Sequence, residues 1–173
     1  LCGKAYWMLN QYELAIQFYK RVIQLDPENF ESWLDLSALF AANSQNTESL
    51  YFATQALSMN PTDPRGHLNL GCALSVMGRV DDAHYCFETV LKLSPDNVSA
   101  LTNIAVAQEK RGEIDAALAS LDRALSLSPQ GSEQEARIFY SKSYPLLAKG
   151  RLKEGWEMYA HGFKPNNKLS RAP

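Results

Sequence analysis

The hydrophobic positions of the chain fall into blocks about one helix long, separated by short polar turns. Within each block the apolar residues recur every three or four positions, which is the spacing of one face of an α-helix. Prolines close every second block, at Pro27, Pro61, Pro95 and Pro129, each 34 residues after the one before. Because proline cannot continue a helix and disfavours helical backbone at the preceding residue, each proline predicts the end of a helix.

Each interval between prolines holds two such blocks, so the repeating element is predicted to be a helix, a tight turn and a second helix. The turn reads MGR at residues 77–79 and KRG at residues 110–112, with glycine where the chain must reverse. Residues that favour a helix start follow the turns. Thr47 is predicted to cap one second helix, and Asp81 and Asp115 place negative charge near the unpaired N–H groups at the start of two others. The pattern predicts an all-α chain.

The 34-residue period, with the residues at fixed places in it, resembles the tetratricopeptide repeat family, whose pattern is W-x2-L-G-x2-Y, then A-x3-F, then P. The third repeat carries this pattern most fully, with Leu70, Gly71, Leu74, Ala83, Phe87 and Pro95. Small residues let the two helices of a repeat approach closely, and aromatic rings fill the gap to the next pair. The resemblance implies a right-handed α-solenoid of antiparallel helix pairs.

The resemblance covers residues 1–163. It implies a truncated repeat, three full repeats and a degenerate, capping repeat, with the boundaries 1–28, 29–62, 63–96, 97–130 and 131–163. In the degenerate repeat the turn glycine, Gly150, comes 21 residues after Pro129, whereas the two preceding repeats have 17. Residues 164–173 have the proline, asparagine and serine content of a linker or tail.

Composition and charge narrow the function. The chain is 46% hydrophobic and 21% charged, which is typical of a folded protein and not of a disordered one. A formal net charge of -2 leaves no excess of positive charge for phosphates, so no nucleic-acid partner is predicted. No run approaches the roughly 20 apolar residues of a membrane span. Three cysteines without a CxxC pair favour a reducing, cytoplasmic setting.

The sequence contains no recognised catalytic or metal-binding motif. His84 and Cys86 are two positions apart, which places them about 200° apart around a helix, so they cannot hold one ion together. We therefore predict a chain with no catalytic site, no metal and no other cofactor. Cys72 is interpreted either as a reactive thiol in a groove or as a small packing residue.

The first helices of tetratricopeptide repeats line a concave groove. Two positions before the small helix-packing residue, the chain has Asp35, then Asn69, then Asn103. This resembles the asparagine ladder in the repeat region of O-linked N-acetylglucosamine transferases, which contacts the backbone of an extended peptide. An amide can donate to and accept from any peptide backbone. Local hydrogen bonds between helices are the alternative role.

Other candidate groove residues stand beside this ladder. Chaperone-binding tetratricopeptide domains clamp a C-terminal carboxylate with cationic residues, but the matching places here are Leu34, Leu68 and Thr102, so no such clamp is predicted. Arg65 and Lys110 could still hold an acidic side chain. The full predicted peptide-binding set is Asp35, Asn69, Asn103, Arg65, Leu68, Cys72, Thr102 and Glu109. The predicted function is a non-catalytic scaffold for a protein or peptide partner.

The last repeat raises a second hypothesis. Its Gly-x4-Gly-Trp-x2-Tyr segment, residues 150–159, looks like the junction where such repeats run into a glycosyltransferase-like domain in bacterial proteins. The chain would then be the substrate-recruiting or docking region of a larger sugar transferase. A capping role is also predicted, in which Trp156, Tyr159 and Phe163 cover the end of the stack. Homo-oligomerisation through an exposed repeat face is a third possibility.

Overall fold

The computed structural model describes residues 2–162, and within them it contains ten α-helices and no strand. The helices are α1 (Cys2–Met8), α2 (Tyr12–Leu25), α3 (Phe30–Ala42), α4 (Asn46–Met59), α5 (Pro64–Val76), α6 (Val80–Leu93), α7 (Val98–Lys110), α8 (Ile114–Ser126), α9 (Glu133–Ala148) and α10 (Leu152–Gly162). The predicted all-α fold class is confirmed. None of these helices is long and apolar enough to cross a membrane.

The chain divides into two compact units, which we call the N-terminal module (Leu1–Pro95) and the C-terminal module (Asp96–Pro173). In the N-terminal module α1 packs on α2, α3 on α4, and α5 on α6. In the C-terminal module α7 packs on α8, and α9 on α10. Each module is therefore built from consecutive helix pairs.

Left-handed backbone closes the first helix of each pair. Gly78, Gly112 and Gly150 lie in these turns with φ of 78°, 80° and 74°, a conformation that costs glycine little. Ser44 and Asn10 take the same place in the two earlier turns, with φ of 59° and 58°. The turn thus depends on its position in the repeat more than on the residue that occupies it.

Capping side chains begin the first helices from α3 onwards. Asn29, Asp63, Asn97 and Ser132 each accept a hydrogen bond from a backbone N–H of the helix that follows. The second helices α2, α4, α6 and α8 have no such cap. The prediction that Thr47 caps α4 is wrong, because α4 begins at Asn46 and Thr47 lies inside its first turn.

Apolar side chains fill the space between the helices of each module. In the N-terminal module, α2 and α3 share a core that includes Tyr19, Leu36 and Phe40. Phe87 of α6 is 1% exposed, and its ring lies against Gly71 of α5 so closely that a Cβ atom there would come within 2.6 Å of it. The small residue and the aromatic ring are therefore a matched pair.

Candidate functional site

Asn69 links two neighbouring first helices of the N-terminal module. Its amide nitrogen donates to Ser37 Oγ at 2.6 Å and, less closely, to the Leu34 carbonyl oxygen at 3.4 Å. Ser37 Oγ also donates to the Leu34 carbonyl at 2.7 Å, and Ser49 Oγ donates to the Ser37 carbonyl at 2.9 Å. The amide of Asn69 thus joins α5 to α3, which is the helix-to-helix role that the sequence left open.

Asp35 is also engaged inside the N-terminal module. Burial, and then the hydrogen bond from the Tyr19 hydroxyl to Asp35, raise the pKa of Tyr19. Asp35 borders a cavity of about 450 Å³ together with Lys4, Trp7 and Met8. Asp35, the first residue of the predicted ladder, therefore takes part in the packing of α2 against α3.

Arg65 is held by two carboxylates of its own module. Its guanidinium donates to both oxygens of Glu31, at 3.0 and 2.8 Å, and to both oxygens of Asp63, at 3.1 and 2.8 Å. It also lies over the Phe30 ring, 5.7 Å from the ring centre. These contacts use four of its five N–H donors. Arg65 therefore does not present the open cation that the sequence suggested for an acidic side chain of a partner.

Replacing Arg65 with glutamine is expected to lower the free energy of unfolding of the N-terminal module by about 1 kcal/mol at low salt and by less at high salt. The side chains of Arg65 and Glu31 are about half exposed, so solvent and salt screen their pair, whereas the Asp63 side chain is 11% exposed. Hydrogen bonding to Arg65 lowers the pKa of Glu31 and of Asp63 below their ordinary 4.5 and 3.8. Because the pKa values of Glu31 and Asp63 are lowered in the folded state, their ionised forms stabilise the fold, and this stabilisation is fully present when the pH is above the ordinary pKa values. The stabilisation is lost as the pH falls through the lowered pKa values of the folded state.

The measurement is urea unfolding followed by tryptophan fluorescence, at about pH 7 and about pH 3, on the parent and the Arg65→Gln variant. We expect the difference between the two proteins to shrink in acid. The matched control is Arg137→Gln, which removes a single exposed pair with Glu133 and is expected to cost less than about 0.5 kcal/mol. If both arginine variants lost the same free energy of unfolding, or if the loss for Arg65→Gln were the same in acid, the ion-pair network of Arg65 with Glu31 and Asp63 would be contradicted.

The apolar members of the predicted set lie in or near the packing of the N-terminal module. Leu68 is half-buried. Leu34, which stands at the same place one repeat earlier and does not belong to that set, is 4% exposed and so does not line a groove. Cys72 is also half-buried, and burial raises the pKa of its thiol to about 11. The thiol is therefore protonated at neutral pH and a poor nucleophile, which favours the packing interpretation over a reactive groove cysteine.

A larger open groove lies in the C-terminal module between the first helices α7 and α9, with a volume of about 920 Å³. We call it the α7–α9 groove. Its lining is mostly neutral and polar, and it consists of Ser99, Thr102, Asn103, Ser132, Glu133, Gln134, Arg137, Ile138, Tyr140, Ser141 and Gly162. Thr102 and Asn103 belong to the set predicted from sequence.

The α9 wall of this groove was missed by the sequence analysis. Tyr140 and Ser141 lie in the degenerate repeat, where the turn glycine comes four residues late, so counting from the preceding proline misplaces them. Counting back nine residues from the turn glycine Gly112 gives Asn103, and the same count from Gly150 gives Ser141. That count is the signal that could have found the second wall.

A tyrosine cluster continues the α9 wall. The Tyr140 ring lies 5.2 Å from that of Tyr144 and 5.6 Å from that of Tyr159, and the Tyr144 hydroxyl donates to the Tyr140 hydroxyl. Tyr144 is 43% exposed. Glu109, another predicted groove residue, is half-buried at the end of α7, and burial raises its pKa.

Two of the three residues predicted to cover the end of the stack, Trp156 and Tyr159, lie on α10 within the described residues. The Trp156 side chain is 59% exposed, and its ring contacts the ring of Tyr159. Phe163, the third residue of that prediction, lies outside the residues that the structure describes. Gly155 lets α10 approach α9, because a Cβ atom there would come within 2.6 Å of Leu147.

The α7–α9 groove can donate and accept hydrogen bonds, but the described residues that line it include neither histidine nor cysteine. In the part of the chain that the structure describes, no three His, Cys, Asp or Glu side chains are grouped so as to hold a metal ion. The arrangement is one that can bind a polar chain along its length.

Two family models, both described as tetratricopeptide repeat, match the chain. One covers residues 68–132 and the other residues 2–29, so that together they cover more than half of the sequence. No curated protein matches the chain by sequence.

Several solved structures resemble the chain over most of its length. TTC0263, a thermophilic TPR protein in Thermus thermophilus, is 20% identical with a TM-score of 0.79, covering 97% of this chain and 90% of that one. MamA 41-end from Desulfovibrio magneticus RS-1 is 14% identical with a TM-score of 0.78, covering 93% and 89%. YrrB, described as a TPR protein with an unusual peptide-binding site, is 17% identical with a TM-score of 0.69, covering 95% and 84%. At these identities the likeness shows the fold alone.

Proposed function

Because the chain belongs to the tetratricopeptide repeat family, we propose that it is a non-catalytic protein-interaction scaffold that binds an extended peptide or protein segment in the α7–α9 groove. The observation that carries the proposal is the open groove of about 920 Å³ between two first helices. Its volume is at the upper end of the roughly 300–1,000 Å³ typical of ligand sites. A site of this size and openness suits several residues of a peptide.

The chemistry of the groove lining supports a peptide ligand. Hydroxyl groups come from Ser99, Thr102, Ser132, Tyr140 and Ser141, and amides from Asn103 and Gln134. Two of these hydroxyls already bind within the module, because Thr102 Oγ1 donates to the Val98 carbonyl at 2.9 Å and Ser132 Oγ accepts from the Glu135 N–H at 3.1 Å. Hydroxyl and amide groups both donate and accept, so the lining can still pair with the alternating N–H and C=O groups of an extended backbone. The exposed charges, Glu133 and Arg137, are paired with each other at 2.8 Å, which leaves the groove close to neutral.

A peptide in the N-terminal module would compete with hydrogen bonds inside that module. The polar side chains that its first helices carry at the predicted places already bind groups of the same module: Asn69 binds Ser37, Arg65 binds Glu31 and Asp63. A ligand would have to replace these bonds, and an unmade hydrogen bond at a partly buried group costs about 1–3 kcal/mol.

The test is selection of peptides from a random library on the immobilised chain, followed by affinity measurements on the peptides that are recovered. We expect Ser141→Arg, which places a long side chain in the groove, to weaken binding by at least about tenfold, since about 1.4 kcal/mol of lost contact has this effect. The control is Tyr85→Arg, an exposed position on α6, which should leave affinity within about twofold.

Either of two results would overturn the proposal. Recovery of no peptide would argue against a peptide site. Recovery of peptides that bind the Ser141→Arg variant as tightly as the parent would place the site outside the α7–α9 groove. Folding of each variant is checked by circular dichroism before the affinities are compared.

The alternative, that the chain is the repeat region of a larger glycosyltransferase-type enzyme, stays a prediction from the segment at residues 150–159. The exposed ring of Trp156 in that segment is compatible with a neighbouring domain on α10. The coding sequence downstream of Pro173 tests it: a nucleotide-sugar-binding α/β domain would support the enzyme, and its absence would remove it. Homo-oligomerisation likewise stays a prediction, which light scattering on the purified chain would check.

A further inference from the structure

A carboxylate without a partner lies beyond one end of the α7–α9 groove. Glu109 is half-buried in the last turn of α7, and its carboxylate makes no hydrogen bond or ion pair with the residues that the structure describes. A carboxylate taken partly out of water is costly unless a cation or a donor compensates it. Burial accordingly raises the pKa of Glu109.

Glu109 belongs to the same face of α7 as the groove. Residues three, four or seven positions apart share a helix face, so Thr102 and Glu109 lie on one stripe of α7, and Thr102 lines the groove. On the facing helix, Tyr140 lines the groove and Tyr144 follows one turn later. The hydrogen bond with Tyr140 is the main cause of the raised pKa of Tyr144, and the charge of Glu109 also contributes to it.

Tyrosine rings and a carboxylate together favour a positive charge. The face of an aromatic ring is negative and attracts an ammonium or guanidinium group. Tyr144 is 43% exposed, and its ring meets that of Tyr140 edge-on at 5.2 Å. The long apolar stems of lysine and arginine can pack on such rings while their charged ends reach a carboxylate.

The cations that the structure describes in this module form no ion pair with Glu109. Arg137 pairs with Glu133, Lys142 with Asp122, and Lys149 with Asp115. Lys110 follows Glu109 directly and partly offsets the rise in its pKa, but adjacent residues on a helix do not face each other. Among the described residues, no cation of the module therefore compensates Glu109 by direct pairing.

We propose that the α7–α9 groove binds peptides that carry a lysine or arginine, with the basic side chain held between Glu109 and the rings of Tyr140 and Tyr144. The inference rests on the proposed function and narrows it to the chemistry of one ligand residue. An acidic residue at that place would be repelled by Glu109, and an apolar one would leave its carboxylate uncompensated.

The test uses peptides recovered from the random library on the full chain and on its Glu109→Gln variant. We expect the parent to recover peptides with lysine or arginine at one fixed position, and the variant to recover peptides without that preference. For a single recovered peptide, changing the basic residue to glutamine should weaken binding to the parent by about tenfold, and to the variant by less than about twofold.

The matched control is Glu157→Gln, which makes the same charge change at an exposed position of α10 in the same module and should keep the preference for a basic residue. Peptides recovered without any basic preference, or a preference that survives Glu109→Gln, would overturn this inference and leave the proposed function standing. Recovery of no peptide would overturn both. Loss of the preference in Glu157→Gln as well would assign it to net charge and overturn the specific site.

Discussion

Replacing Phe87 with alanine is expected to lower the free energy of unfolding of the N-terminal module by about 3–5 kcal/mol. Phe87 leads the fully buried side chains of the described residues in size, and it is 1% exposed. Removing the ring takes away its transfer free energy and leaves a cavity beside Gly71, whose lack of a side chain prevents it from filling the space. Because whole domains are stable by only about 5–15 kcal/mol, this is a large fraction of the total.

Urea unfolding measured by tryptophan fluorescence would test this result. Trp7 and Trp33 lie in the N-terminal module and Trp156 in the C-terminal one, so a Trp156→Phe background lets the signal report on the N-terminal module alone. The control is Tyr85→Ala on the same helix, where the side chain is 65% exposed and the loss should be below about 0.5 kcal/mol. A loss below about 1 kcal/mol for Phe87→Ala would mean that the ring does not hold α5 and α6 together.

Replacing Gly71 with valine is expected to cost about 2–3 kcal/mol in the same assay, although valine is a slightly better helix former than glycine. A Cβ atom at this position would lie 2.6 Å from Phe87 Cε1 and 3.0 Å from Cys86 Cβ. Both neighbours are buried, so neither can make room for a new side chain unless a helix shifts. The overpacking therefore outweighs the gain in helix propensity.

The two substitutions are expected to compensate each other. In the Phe87→Ala background the missing ring leaves room for the valine, so the cost of Gly71→Val should fall, and the part that remains is the approach to Cys86 Cβ at 3.0 Å. A double-mutant cycle measures this coupling, which is typically about 0.5–3 kcal/mol for residues in contact. Strictly additive losses would show that glycine is needed at residue 71 for a reason other than the ring.

The positions of helix ends and of the core could be predicted from sequence because they depend on local chemistry. Pro61 and Pro95 cannot continue a helix, and both lie in the turn just after one. The small residue Gly71 and the ring of Phe87 occupy places that the repeat pattern assigns to helix packing, and both are buried there. Thr47 was misread as a cap because a threonine that could cap and one already inside the first turn look alike in sequence.

The candidate site was predicted only in part, because the role of a polar side chain depends on what lies opposite. Thr102 and Asn103 line the α7–α9 groove as expected of a first-helix face. Asn69 stands one repeat earlier at the same place as Asn103, and its amide binds Ser37 of the neighbouring first helix α3. A repeat pattern assigns equal places to the two asparagines and does not show which group lies opposite each of them.

By itself, the sequence determined that the chain is all-helical, where its helices stop and which small and aromatic residues pack together, since these follow from periodicity and from proline and glycine chemistry. Only the tertiary structure decided that Arg65 is held by Glu31 and Asp63, that the open groove lies between α7 and α9, and that Glu109 has no partner among the described residues. The physical reason is that charge pairing and groove shape arise between helices many residues apart. Their relative placement depends on the summed packing of every side chain between them.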